Sequence, residues 1–235
     1  MKKFIKLVSL ALTVCAIALL FVSCSPTGKA AYDTSNTGEG KNIISSKIKE
    51  EIDSMKVSDF EPSKQKSDFV LIKVKNYGEI VIVLREDVAP ITVKNFKKLV
   101  ADGFYDGLIF HRVVENFMIQ GGGGTEIKDG KLTSKYTDAI KGEFASNGVL
   151  NNLLHFRGVL SMARTSDYNS ASSQFFIMHK DNAGLNGKYA TFGYVLAGMD
   201  VVDAIATCEV DAKDPDAPVP VEKVVIESMS FVQPK

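Results

Sequence analysis

From Asp68 onward, short apolar stretches alternate with polar turns. Phe69–Lys75 and Glu79–Arg85 each alternate apolar and polar residues, and Asn76-Tyr77-Gly78 between them supplies a turn, which predicts a β-hairpin. Pro90 opens a helix with Val93, Phe96, Leu99 and Val100 on one face and Gly103 as its stop. Further strands are predicted at Ile109–Val114, Phe117–Gln120, Gly158–Met162, Gln174–Met178 and Thr191–Leu196. A second helix covers about Met199–Ala206, and a last strand, Val221–Phe231, follows a turn containing Pro215, Pro218 and Pro220. Many short strands with few helices predict a mainly β domain, either a closed antiparallel barrel or a sandwich.

Ahead of Asp68 the pattern differs. Ser25 to Lys41 has almost nothing to bury and reads as a flexible tether. Ile43–Met55 places Ile44, Ile48, Ile52 and Met55 at helical spacing, for either a short helix docked on the domain or a transient helix in a linker. At the start, Lys2, Lys3 and Lys6 precede an uncharged run of 16 residues from Leu7 to Val22. That is the layout of a secretory signal peptide, shorter than the ~20 residues a spanning helix needs. Phe21-Val22-Ser23-Cys24-Ser25 resembles a bacterial lipobox, although Phe21 stands where Leu is usual. The resemblance implies a diacylglyceryl group on Cys24 and cleavage before it. The alternatives are an ordinary signal peptide with an incidental cysteine, or an uncleaved anchor. The expected organisation is a lipoprotein signal peptide over 1–23, lipidated Cys24 and linker over 24–67, and a folded domain over 68–235. The expected location is the extracytoplasmic face of the cell membrane, held through acyl chains.

Composition narrows the function classes. With 45% apolar and 24% charged residues the chain is an ordinary globular one, long enough to bury a core. The 28 basic and 28 acidic residues become 25 and 28 once the first 23 are set aside, without a basic patch, so no nucleic-acid partner is expected. Three cysteines, Cys15, Cys24 and Cys208, make neither a disulfide scaffold nor a zinc ribbon. His111, His155 and His179 have no metal-ligand spacing, and the latter two read as structural or exposed. Gly121–Gly124 lacks the Gly-Lys-Ser/Thr of a phosphate loop and reads as permitting a sharp reversal, and no Gly-x-Ser-x-Gly elbow occurs.

The chemistry-bearing stretches are Phe110-His111-Arg112-Val113-Val114-Glu115-Asn116-Phe117-Met118-Ile119-Gln120-Gly121-Gly122, Arg157-Gly158-Val159-Leu160-Ser161-Met162-Ala163-Arg164, Ser172-Ser173-Gln174-Phe175-Phe176-Ile177 and Leu185-Asn186-Gly187-Lys188-Tyr189-Ala190-Thr191-Phe192-Gly193. In this order, from about Asp68 to Phe231, they resemble the cyclophilin family of peptidyl-prolyl cis-trans isomerases. The resemblance implies a closed eight-stranded antiparallel barrel capped by two helices, acting on Pro-containing polypeptides without a cofactor. Arg112 matches the essential arginine, and Phe117 and Gln120 complete the catalytic set. His111, Met118, Ala163, Arg164, Gln174, Phe176, Leu185 and Tyr189 match the substrate groove; Phe117, Met118, Phe176 and Leu185 are its apolar walls. Strand alternation cannot aim Phe117, Met118 and Gln120 the same way, so a twist or bulge is expected there. Gly184 stands where many eukaryotic members carry Trp, which predicts weak binding of cyclosporin-type ligands. Thr125–His155 is longer and more polar than in compact members, and it reads as widening substrate reach or as a plain surface loop.

The physical demand is modest. Rotation about an X–Pro bond crosses a barrier of ~18–20 kcal/mol and breaks no bond, so neither nucleophile nor metal is required. The competing readings are a non-catalytic Pro-peptide-binding module or chaperone, and a solute-binding lipoprotein, which the barrel pattern disfavours. A monomer is expected.

Overall fold

The computed structural model describes residues 46–129 and 131–235. The expected signal peptide, Cys24 and the tether to residue 45 lie outside the described residues. In chain order the strands are β1 (Phe60–Pro62), β2 (Phe69–Val74), β3 (Gly78–Leu84), β4 (Ile109–Val114), β5 (Met118–Gly121), β6 (Gly124–Lys128), β7 (Lys131–Ser134), β8 (Val159–Met162), β9 (Phe175–Met178), β10 (Thr191–Ala197), β11 (Val210–Asp211), β12 (Val219–Pro220) and β13 (Val224–Pro234). The longer helices are α1 (Pro90–Ala101) and α2 (Met199–Ala206), and residues 46–51 are also helical.

The main sheet runs β1-β13-β2-β3-β10-β8-β9-β5-β4, and β4 pairs again with β13, so eight strands close an antiparallel barrel. The long strand β13 makes closure possible. Its start pairs with β4 through Val224 and Val225, its middle with β2, and its end with β1 through Pro234, Gln233 and Val232. A closed barrel leaves few unpaired edges, and β1 covers the stretch of β13 beyond β4.

Alternation along these strands sorts the apolar side chains into two layers. Val70, Ile72, Ile80, Ile82, Phe110, Ile119, Phe175, Ile177, Phe192 and Val195 fill the interior together with the apolar faces of α1 and α2. Phe96 of α1 sits in an aromatic cluster there, with ring centroids 5.1 Å from Tyr105 and from Phe192 and 5.7 Å from Phe175. The second layer lies on the outer face: Val81, Met118, Val159, Phe176, Met178, Tyr194, Leu196 and Ala197. Strands β8, β9 and β10 are therefore buried on both faces, which is why they read as continuous apolar runs.

Residues 46–62 help cover that outer face, so the folded unit begins ahead of residue 68. Ile48 and Phe60 are buried in the outer layer, and Met55 N–H donates to Leu196 O (3.2 Å). The Tyr194 hydroxyl donates to the Glu51 carboxylate. Asp53 Oδ1 accepts from Gly198 N–H (3.0 Å) and Met199 N–H (3.1 Å), supplying the cap that Gly198 cannot give α2.

The stretch between β5 and β8 is neither a plain surface loop nor all polar. Its first part forms the β6–β7 hairpin. Its second part buries Glu143, Phe144, Asn151, Leu153 and His155. Ala89 before α1 has no capping side chain, and Glu143 supplies the cap from 52 residues away: Oε1 accepts from Ile91 N–H (3.0 Å), and Oε2 from Thr92 N–H (2.8 Å) and Thr92 Oγ1–H (2.7 Å).

Candidate active site

Strand register builds the site. Arg112 on β4 lies opposite Gln120 on β5, Gln120 opposite Phe176 on β9, and Phe176 opposite Ser161 on β8. Directly opposed residues project from the same face, so one row crosses four strands on the outer surface. Met118, two residues before Gln120, joins that face, whereas Ile119 points into the interior. Phe117 escapes alternation because β5 begins only at Met118. It sits in the preceding turn, beside Asn116 in the left-handed region (φ 59°). The irregularity expected near Phe117 thus takes the form of this turn, while a register shift on β4 falls between Phe110 and Arg112, at His111.

Arg112 is held on two sides. Nε donates to Asp216 O (2.7 Å) and Nη1 to Gln120 Oε1 (3.3 Å), with Met118 Sδ at 3.7 Å and the guanidinium 5.8 Å from the Phe117 ring centroid. Burial lowers its pKa, and the charges of Asp216 and others nearby oppose that; the group remains a cation. Gln120 Nε2 passes the chain on to Gln174 Oε1 (3.0 Å), and Gln174 O accepts Ala163 N–H (2.9 Å). A side chain at Gly123 would bring Cβ within 2.8 Å of the Gln174 amide, and one at Gly122, whose φ is +81°, within 2.8 Å of Ser173 O. The glycine run therefore serves close approach of the strand to Gln174 as well as the change of direction.

Beside this polar chain lies the apolar part. Phe176 and Tyr189 meet edge to face at 6.0 Å, and Leu185 is half-buried at the end of a short 3-10 turn, Ala183–Leu185. The Arg164 guanidinium packs over the rings of Tyr189 (4.5 Å), Tyr168 (4.9 Å) and Phe144 (5.1 Å). Its Nε and Nη2 donate to Lys188 O, and its Nη1 to Thr165 O. His111 is buried next to Arg112, its Nδ1 without a hydrogen-bond partner, and burial lowers its pKa to about 4. The residues singled out from the sequence fall into three groups: the polar chain Arg112–Gln120–Gln174, the apolar set Phe117, Met118, Phe176, Leu185 and Tyr189, and the flanking His111, Ala163 and Arg164. Two contributors had no local signal, because tertiary contacts alone define them: the Asp216 carbonyl, 104 residues from Arg112, and His155, stacked on Phe176 at 6.0 Å.

The family model for cyclophilin type peptidyl-prolyl cis-trans isomerases matches residues 69–230. A peptidyl-prolyl cis-trans isomerase of Acinetobacter baylyi is 48% identical over 166 residues, covering 66% of this chain and 84% of that protein. Peptidyl-prolyl cis-trans isomerase B of Escherichia coli is 43% identical over 163 residues, covering 66% and 94%. Among solved structures, a Cryptosporidium parvum cyclophilin type isomerase, crystallised in the presence of the dipeptide Ala-Pro, gives a TM-score of 0.59 at 32% identity, covering 69% of this chain and 98% of that one. A barrel closed by β13, a site row set by register and a family match spanning almost all of both place this chain in the cyclophilin-type peptidyl-prolyl cis-trans isomerase family.

Proposed function

We propose that Arg112 is the electrostatic centre of the isomerisation and that Phe117, Met118, Phe176, Leu185 and Tyr189 grip the proline ring. As the X–Pro bond twists out of plane, the prolyl nitrogen loses conjugation and gains a lone pair. A positioned guanidinium stabilises that form more than either planar isomer, which is what lowers the barrier. Gln120 holds Arg112 and meets the client backbone. His111, Ala163, Arg164 and Gln174 frame the groove for the residue before proline. The observation that carries this reading is Arg112 fixed between Asp216 O and Gln120 Oε1, on the same sheet row as Phe176. The test is isomerisation of a Pro-containing peptide by the full chain in detergent, beside Arg112→Ala. Acceleration mostly lost in the variant is expected; equal rates in the two proteins would remove Arg112 from the mechanism.

The amino terminus carries the second part of the proposal: export, acylation of Cys24, and action on clients outside the cytoplasm. Its support is the sequence alone, the lysine-led apolar run and Ser23-Cys24. Two or more acyl chains hold a domain at a membrane stably, where one gives marginal binding. Labelling with radioactive palmitate in a bacterial host should mark the chain and fail to mark Cys24→Ser. Equal labelling of both would refute lipidation at Cys24.

A further inference from the structure

Behind the pocket walls sits one fully buried imidazole, His155, with 2% of its surface exposed. Its ring lies parallel to Phe176 (6.0 Å, 17°) and meets Tyr189 edge-on (6.4 Å, 81°). Its polar atoms engage both ends of the turn that carries Leu185. The His155 carbonyl accepts Asn182 N–H (2.8 Å), its backbone N–H donates to Asn186 Oδ1 (2.8 Å), and ring Nδ1 lies 3.2 Å from that same oxygen. Nε2 faces Ser161 Oγ at 3.0 Å. These contacts set the tautomer. Asn186 Oδ1 is fixed as an acceptor by the backbone N–H, so Nδ1 carries the proton and Nε2 accepts from the Ser161 hydroxyl.

We infer that His155 is a positioning residue for the proline pocket, holding Phe176, Tyr189 and the Leu185 turn in register with one another. Phe176 comes from β9, Leu185 from a loop turn, and Tyr189 from the segment entering β10; no strand pairing fixes the last two against the first. The imidazole packs on two rings and reaches Asn186 through Nδ1, while the His155 backbone bonds Asn182 and Asn186 on either side of Leu185; together these remove freedom that a long or flexible side chain would leave. Burial keeps the imidazole neutral, with its pKa lowered to about 4, so the bonds persist over the working pH range.

The inference rests on reading Phe176, Leu185 and Tyr189 as the proline pocket, and the test separates the two. In the full chain, His155→Phe keeps a ring against Phe176 and deletes both ring hydrogen bonds, His155→Asn restores a donor toward Asn186, and Asn186→Ala cuts the same link from the other side. Phe176→Ala tests the pocket itself. At a temperature where every variant is folded, His155→Phe and Asn186→Ala should each raise KM about tenfold with kcat changed much less. The double variant should be little worse than either single one, since both cut one network, and His155→Asn should recover part of the loss. In the unmodified chain, imidazole 15N resonances of His155 should show the Nδ1–H tautomer and shift as a Pro-peptide titrates the pocket. Wild-type KM in Asn186→Ala and His155→Phe, with Phe176→Ala impaired, would overturn the positioning role and leave the pocket standing. Full activity in Phe176→Ala would overturn the pocket itself. Should His155→Phe not fold, Asn186→Ala and the resonances decide.

Discussion

At the residue scale, the proposed role of Arg112 rests on a side chain that is both charged and confined. Burial lowers its pKa without discharging it, and two acceptors fix its plane. Lysine offers a single ammonium on a flexible stem, without the rigid planar fork that spans Asp216 O and Gln120 Oε1 here, so it holds its charge less firmly in place. Arg112→Ala should lose about 10²–10³-fold in kcat, the order of one removed transition-state donor. Arg112→Lys should recover only part of that, with thermal unfolding unchanged in both; a fully active lysine variant would show that charge alone suffices. Gly184 is a residue-scale departure of another kind. It is exposed, its N–H donates to Asn182 Oδ1 (2.9 Å), and it offers no wall beside Leu185. Cyclosporin-type ligands should therefore inhibit weakly, and Gly184→Trp should tighten inhibition in a titration against peptide isomerisation. Tight inhibition of the unmodified chain would refute this.

At the element scale, periodicity read α1, α2, β2, β3 and β4 to within a residue or two, because each has a face that meets one dominant layer. It missed β1, whose three residues include Glu61 and Pro62 and which exists only through pairing with the end of β13. It missed β6 and β7 because their side chains are mostly exposed on both faces. The motifs picked out residues that the fold brings into one apolar cluster, Phe117, Met118, Phe176, Leu185 and Tyr189, while the turn that frees Phe117 and the imidazole behind Phe176 depend on contacts distant in sequence. Glu143, a polar residue in a polar stretch, gave no sign that it caps α1. Replacing its carboxylate by an amide, Glu143→Gln, sets an NH2 group against N–H donors. It should cost about 2 kcal/mol, or about 4–8 °C in thermal unfolding for a chain of this size, with kcat/KM preserved. The segment over 46–62 supplies a second test. Ile48 and Phe60 together bury side chains worth roughly 2 kcal/mol each, and Asp53 caps α2. A chain starting at residue 68 should unfold at clearly lower urea than one starting at residue 42. Coincident midpoints would mean that the segment adds nothing.

At the scale of the whole molecule, the barrel carries two apolar layers, and the site lies where the outer one meets a polar chain. Among the described histidines, His111 and His155 sit on this boundary, and burial lowers the pKa of each to about 4. The unfolded chain returns both to about 6.5. Between those values the unfolded state binds protons that the folded state refuses, so unfolding takes up protons and stability falls as pH drops. The contribution is complete above about 6.5, declines through the window to about 4, and levels off below it. Carboxylates held low by partners, such as Asp87 beside Arg85 and Asp203 beside Arg157, lose their support only below the ordinary value of 3.8, so they act later in an acid titration. Thermal unfolding should therefore be nearly flat from pH 8 to 7 and fall steadily from 6.5 toward 4.5, with an uptake approaching two protons. His155→Phe should remove close to one of the two. Isomerisation by the still-folded chain should show no inflection from His111 or His155 between pH 8 and about 5.5, because both rings are neutral there. A midpoint that does not move between pH 7 and 4.5, or an uptake unchanged in His155→Phe, would mean that these imidazoles are solvated in the folded protein, and the dry layer behind the pocket would have to be given up.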